Sequence, residues 1–402
     1  MITGGKNQFA NKKILLLQGP LGPFFNWLSH DLRKAGAEVS KVNFNGGDYL
    51  FFLRNSIAFR DNIQAWPLFL EKLLDSKKID IIILFGDCRP LHRIACAIAY
   101  QRGIRIGVFE EGYIRPNFIT FEQYGVNGYS QIPRMPDFYR GLVTKKNKIE
   151  QPVGNTFWQV ALWSILYYAA STLLQGFFRR YQHHRPLTVL EIIPWIKSFW
   201  RKGYFALKER GTLRLLTTTL AGQYFFVPLQ VHNDVQIGVH STFSSVQNFI
   251  LQVLISFARH APKKTYLVIK HHPMDRGYND YGAFIREQIQ LLAISERVIY
   301  IHDQHLPTIL QYTRGVVLIN STVGFSALHH GVPMKVCGTA IYDMEGLTFQ
   351  GDLDSFWTAA QECIPDKKLF LNLRNYLIEN TQLNGSFYKK LPDGKNFCNF
   401  VE

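Results

Sequence analysis

Asp80-Ile81-Ile82-Ile83-Leu84-Phe85 constrains the fold more than any other stretch of the chain. A strand that is apolar at nearly every position has both faces covered, as in a parallel sheet held between layers of helices. Further strand-like runs occur at Lys13–Gln18, Glu38–Phe44 and Ile104–Phe109, then at Tyr224–Leu229, Thr265–Lys270, Arg297–Ile301 and Gly315–Ile319. Helical segments fall among them at Phe24–Lys34, Leu91–Arg102, Ser244–His260 and Phe325–His330, and a last one covers Leu353–Leu377. Two series of alternating strands and helices predict an α/β protein with two Rossmann-like domains. A chain of 402 residues with 47% hydrophobic content can fill both cores.

The rhythm breaks over about 140–222. The expected organisation is therefore an N-terminal domain over 1–222 that carries a basic, aromatic helical insertion, and a C-terminal domain over 223–402 whose final helices pack back on the first. The net charge is +15. From Lys145 to Arg214, twelve Lys and Arg stand against three Glu, a surplus of nine. The segment Gln151–Phe178 has no charge at all and runs into Arg179, Arg180 and Arg185; Trp195, Trp200 and Arg201 follow. Aromatic residues beside a basic cluster suit the interface of an anionic membrane. The charge lies beside an apolar stretch rather than across a nucleic-acid-binding fold, so nucleic acid is not an expected partner. The five cysteines lack zinc spacing, and Asp352-Leu353-Asp354 reads as a helix cap, so no metal or cofactor is expected. The N-terminus shows no export signal, which places the expected location in the cytoplasm.

In α/β sheets, ligands bind beyond the carboxyl ends of strands. Three polar motifs occupy such positions: Glu110-Glu111-Gly112, His271-His272-Pro273 and Asn320-Ser321-Thr322-Val323-Gly324. A carboxylate can act as base or nucleophile, and an imidazole can stabilise or protonate a leaving group. Of the two histidines, His272 is favoured because Pro273 follows it. Hydroxyls at a strand-to-helix turn can hold phosphate, although an ordinary helix cap uses the same residue types. Gly19 and Gly22 in the Gly-Pro loop, and Gln230 and Asp234 after the fifth strand, are weaker substrate candidates. Asp48 is a further one, and Arg115 is a candidate partner for a sugar carboxylate.

The three motifs, in this order, resemble the Glu/Asp-Glu/Asp-Gly, His-Pro and Ser-Ser/Thr motifs of bacterial sialyltransferase-like enzymes that use CMP-sugars. The longer segments GPLGPFF, VNFNGGD, FEEGYIRPNFITFE and INSTVGFSALHHGVP resemble KpsS-type capsule polysaccharide proteins over most of the chain, more weakly over 140–222. That resemblance implies a GT-B architecture, in which two Rossmann-like domains face a cleft. It also implies a retaining transferase that moves β-Kdo from CMP-β-Kdo to a (lyso)phosphatidylglycerol acceptor and starts the poly-Kdo linker of a Gram-negative capsule. Glu111 matches the catalytic acidic position, with Glu110 beside it. His272, Ser321 and Thr322 would hold the CMP phosphate, with His271, Pro273, Asn320 and Gly324 around them. The implied location is peripheral on the inner membrane, with a KpsC-type transferase and the capsule export machinery as partners. The rival readings are a non-catalytic capsule export or assembly protein and a sugar-nucleotide epimerase.

Overall fold

A computed structural model describes residues 8–142, 150–181, 190 and 192–394. The chain divides into two compact α/β units. One comprises Met1–Gln131, Lys145–Glu191 and Asn375–Glu402; the other comprises Ile132–Thr144 and Ile192–Arg374.

The first unit is built on seven strands: β1 (Lys13–Leu16), β2 (Glu38–Asn43), β3 (Ser56–Ala58), β4 (Ile81–Phe85), β5 (Arg105–Glu111), β6 (Phe118–Gln123) and, from the chain's tail, β12 (Gln382–Asn384). Their order in the sheet is β12-β6-β5-β4-β1-β2-β3. The four pairings from β5 to β3 are parallel, whereas β6 runs antiparallel between β5 and β12. Ile81 to Leu84 are fully buried, as a doubly covered central strand requires. On one face Phe24 meets Phe109 and Phe387 edge-on at 5.2 and 4.8 Å. Edge-on contact suits the ring quadrupoles.

The second unit has five strands, all parallel: β7 (Tyr224–Pro228), β8 (Tyr266–Lys270), β9 (Val298–Ile301), β10 (Gly315–Leu318) and β11 (Met334–Val336), ordered β11-β10-β7-β8-β9. Its core packs the long helix Val246–His260 over Phe225, Leu267 and Trp357.

Three expectations change. The division does not fall at residue 222, because helices Ile192–Lys208 and Thr212–Thr217 belong to the second unit. Buried Glu209, just after the first of them, accepts a hydrogen bond at 3.1 Å from the His302 backbone N–H and bonds the His302 ring at 2.7 Å. The helix expected over Leu353–Leu377 is two helices, Leu353–Ala359 and Lys367–Asn380. Pro365 breaks it, and the Asp366 carboxylate caps the new start by accepting from the N–H groups of Lys368 and Leu369 at 2.8 and 3.0 Å. The tail belongs to the first unit from Asn375, within the second of these helices, and adds the strand β12 to its sheet.

Helix Phe157–Leu173 of the first unit is turned inside out. It buries Ser164, Tyr167, Ala170 and Ser171 and leaves Trp158, Leu162, Ile165 and Leu173 exposed. Its small, polar face lies on helix Gly46–Phe51, where a Cβ on Gly46 would come within 2.1 Å of the Ala170 carbonyl oxygen. Gly46→Ala is therefore expected to destabilise the protein by about 3 kcal/mol, read as a lower urea midpoint. An unchanged midpoint would contradict this packing.

Candidate active site

In the first unit, strands β1, β2, β4 and β5 end on one edge of the sheet and deliver Gln18, Asn45, Asp87 and Glu110 there. Strand alternation sends Glu110 and Glu111 to opposite faces. β5 does not stop before them: both are strand residues, paired with Thr120 and Ile119 of β6. Gly112 is required at the turn that follows, since a Cβ there would lie 2.0 Å from the Phe118 carbonyl oxygen. Tyr113, buried behind the turn, donates to Glu122 at 2.6 Å and fixes the hairpin.

Glu110 and Glu111 are half-buried. A methyl group at Gly86 would lie 3.7 Å from Glu110 Oε2 and 3.8 Å from Arg89 Nε, so carboxylate and guanidinium flank one point. Burial pushes the Glu110 carboxyl up to about 7. The Glu111 N–H and Arg89 hold it down, while the carboxylates of Glu111 and Asp87 add to the rise. Burial also raises Asp87, against a hydrogen bond from the Val126 N–H. Glu111 Oε1 accepts from the Tyr388 hydroxyl at 3.3 Å.

In the second unit, β7, β8 and β10 deliver Gln230, the two histidines and Asn320 to one edge. Sequence order reverses between β7 and β10, and Gln230 Nε2 spans that crevice to Asn320 Oδ1 at 2.9 Å. His271 is buried and bonds Tyr300 through Nδ1 at 2.6 Å; burial pulls its imidazole down to about 3, so it is neutral. His272 is half-buried, and its Nδ1 accepts the Met274 N–H at 3.2 Å. Nε2 then carries the ring proton as a donor. Pro273 opens the short turn that places Asp275. Asp275 is wholly buried; it accepts the His232 N–H at 2.7 Å and pairs with His232 Nδ1. A carboxylate that orients an imidazole in this way fixes which nitrogen it presents.

Several predicted residues have structural duties. Asp48 is buried, accepting from the Phe44 N–H at 3.1 Å and from Tyr167 at 3.1 Å, with Lys41 3.8 Å away. Gly19 packs under Phe25, and Gly22 (φ 107°) under Trp163, so the Gly-Pro loop is part of the packing. Gly324 leaves room for Tyr342, whose ring a Cβ would approach to 2.3 Å. Ser321 Oγ accepts the Val323 N–H at 3.3 Å, and Thr322 begins the following helix without a side-chain cap. Asp234 caps a helix and accepts from Gln230. Asp352 likewise caps, as expected. Arg115 is exposed, with Nε donating to Gly112 O at 3.2 Å rather than to a carboxylate.

Among the lipid candidates, Arg201 is tied to Asp280 at 3.2 Å and Arg180 to Asp61 at 2.5 Å. Arg179 and Trp200 are exposed and Trp195 is half-buried; Arg185 lies outside the described residues.

Asp87, Arg89, His232 and Asp275 were missed as site residues. The strand-end rule applied to Gly86-Asp87-Cys88-Arg89 would have found the first two. His232 lies between Gln230 and Asp234, two candidates after the fifth strand. Nothing in the sequence marks Asp275 as its partner.

The profile of the family described as "Capsule polysaccharide biosynthesis protein" matches residues 80–388. The chain is 42% identical over 384 residues to the Escherichia coli capsule polysaccharide export protein KpsS, covering 94% of this chain and 97% of that one. It is 41% identical over 403 residues to the capsule polysaccharide modification protein LipB of Neisseria meningitidis serogroup B, covering 96% and 95%. Among solved structures, Thermosulfurimonas dismutans KpsC, a β-Kdo 2,7 transferase, aligns with 96% of this chain and 94% of its own at 17% identity and a TM-score of 0.43.

Proposed function

The chain belongs to the capsule polysaccharide biosynthesis protein family, and on that premise we propose that it is a glycosyltransferase moving β-Kdo from CMP-β-Kdo to a (lyso)phosphatidylglycerol acceptor, the first step of a capsule linker. The observation that carries the reading is the pair of carboxylates at the end of β5, one of them raised to about 7. A carboxyl group poised near neutrality can take the acceptor's hydroxyl proton as the new C–O bond forms. Glu111, on the other face of the strand and bonded to Tyr388, is the second carboxylate of the pair. In the second unit, His272 Nε2–H and the ring that Asp275 orients, His232, are suited to hold the charge that grows on the departing CMP phosphate. Retention of the β configuration belongs to this proposal.

The acceptor reading draws on the surface. Helix Ile192–Lys208 exposes Ile192, Ile196, Phe199, Trp200 and Leu207, and Lys197 and Lys202 are exposed among them. No helix of the described residues is long and apolar enough to cross a membrane. An apolar stripe interleaved with lysines suits the plane of an anionic leaflet. Sedimentation with phosphatidylglycerol vesicles is expected to pull the protein down at low salt, and Phe199→Ala/Trp200→Ala to weaken this about tenfold. Equal partition of both forms would remove this helix from the interface.

The reaction is tested by incubating the full chain with CMP-β-Kdo and a fluorescent phosphatidylglycerol and reading the lipid by mass spectrometry. A gain of one Kdo residue is expected. An unmodified lipid beside stable donor would favour a non-catalytic capsule protein.

A further inference from the structure

Within the first unit, the acidic hairpin is framed by residues that come late in the sequence. Gln382 of β12 accepts the N–H groups of Tyr113 and Ile114 at Oε1, at 3.0 and 3.4 Å, and so holds the turn after Gly112. Its Nε2 donates to Thr120 Oγ1 at 3.0 Å, and that hydroxyl donates to the Glu111 carbonyl oxygen at 3.0 Å. Asn384 Nδ2 donates to the Asn117 carbonyl oxygen at 2.8 Å. These contacts fix backbone. One further contact reaches a site side chain: the Tyr388 hydroxyl donates to Glu111 Oε1 at 3.3 Å.

Tyr388 is itself firmly held. Phe387, just before it, is fully buried and meets Phe24 and Phe85 edge-on at 4.8 and 5.1 Å. The Tyr388 N–H is accepted by Ser386 Oγ at 3.1 Å, and the Tyr388 carbonyl oxygen accepts Trp163 Nε1–H at 3.1 Å. Burial, then the charge of Glu111, raises the phenol well above its ordinary 10, against the pull of Arg115. The hydroxyl therefore keeps its proton and acts as a donor. Glu111 is half-buried, and its Oε2 takes no hydrogen bond among the described residues. One carboxylate oxygen is pinned and the other is left free. At 3.3 Å the pinning bond is longer than the ~2.5–3.0 Å of a closed O–H···O contact, as hydrogen bonds at reactive groups often are before substrate binds.

We propose that Tyr388 is a positioning residue of the acidic site: its hydroxyl holds Glu111 by one oxygen in a single rotamer and leaves the other oxygen for the reactants. The role in transfer rests on the function proposed above; the hydrogen bond itself does not. A carboxylate near the end of β5 thus depends for its aim on a side chain 277 residues further along the chain. A positioned group acts in the transition state and adds little to ground-state binding, so its loss falls on kcat rather than on KM.

The test compares transfer from CMP-β-Kdo by the full chain, by Tyr388→Phe, and by a form with 4-aminophenylalanine at position 388, which keeps an N–H donor on the same ring. Tyr388→Phe is expected to lower kcat about tenfold, as befits one lost hydrogen bond to a charged group, with the donor KM within about twofold of wild type and the melting temperature within about 5 °C. The amine should recover most of the lost rate. A ring that only fills space is served equally well by phenylalanine, so a folded Tyr388→Phe with wild-type kcat, or an amine form as slow as it, overturns the positioning role. Independently of activity, 3-fluorotyrosine at position 388 is followed by fluorine NMR. Its resonance is expected to move on Glu111→Gln; a resonance that ignores Glu111 refutes the contact, whether or not the phenylalanine variant folds. No transfer by wild type, with the resonance still responding to Glu111, would instead sink the transferase reading and leave the pair of side chains in place.

Discussion

Glu110→Gln is expected to lower kcat by about 10²–10⁴-fold and to erase the limb of the pH–rate profile near 7. The glutamine keeps the shape of the side chain but cannot move a proton. Glu111→Gln should reduce kcat by a similar factor with a different signature. It removes a negative charge that helps to raise Glu110, so the limb should shift to lower pH rather than vanish. The same variants report on stability. In the unfolded chain the Glu110 carboxyl has its ordinary value of 4.5, and burial lifts it to about 7 in the fold, so folding takes up a proton between those values. The stability linked to Glu110 is complete below the unfolded value and is lost as pH rises through about 7. Glu110→Gln, neutral at every pH, should therefore melt higher than wild type at pH 8.5, by on the order of 2 kcal/mol, and equally at pH 4. A variant that loses activity and gains no stability at high pH would show that the carboxyl is not held up in the fold.

Asp275→Ala carries the second large expectation. This carboxylate is fully buried and accepts both the backbone N–H and the ring of His232. Hydrogen bonds to a buried charge contribute more than neutral ones, so removing the two should cost roughly 3–5 kcal/mol. In a unit of this size that lowers the melting temperature by roughly 10 °C. His232→Gln separates architecture from chemistry, because it leaves Asp275 a partner that can still donate. Its melt should stay within a few degrees of wild type while kcat falls at least tenfold. A His232→Gln protein with unchanged kcat and a lowered melt would reduce the pair to a structural brace.

Eight of the ten strands with parallel pairings were legible, most of them as apolar runs, and the ends of those eight expected runs match the observed strands to within two residues. The helix Phe24–Lys34 was read to its boundaries, from an apolar face and a following glycine. Four strands, β3, β6, β11 and β12, were not legible, for different reasons. β6 (Phe118–Gln123) follows a proline and looks like a continuation of the acidic motif. β3, β11 and β12 are three residues each, shorter than any periodicity can show. The polar motifs at strand ends were visible as residue types. Their duties were not, since an aspartate that caps, such as Asp234, and one that braces an imidazole, such as Asp275, read alike. Only long-range packing separates them. Asp48 shows the same limit: a short loop with two glycines and an aspartate looks like a ligand loop until Tyr167, 119 residues away, takes the carboxylate.

The outer side of β6 in the first unit's sheet is covered by β12, which follows it late in the sequence. A ribosome releases β6 more than 250 residues before it makes the strand that covers β6. At synthesis rates of about 5–20 residues per second, that interval lasts on the order of tens of seconds. Throughout it the backbone N–H and C=O groups along one side of β6 stand without a neighbour, an open edge that other nascent chains can join. Biogenesis of this protein therefore depends on guarding one edge until residues 382–384 have been made. Premature termination anywhere before residue 382 should give aggregates rather than a soluble first unit, even though the site carboxylates are long since made.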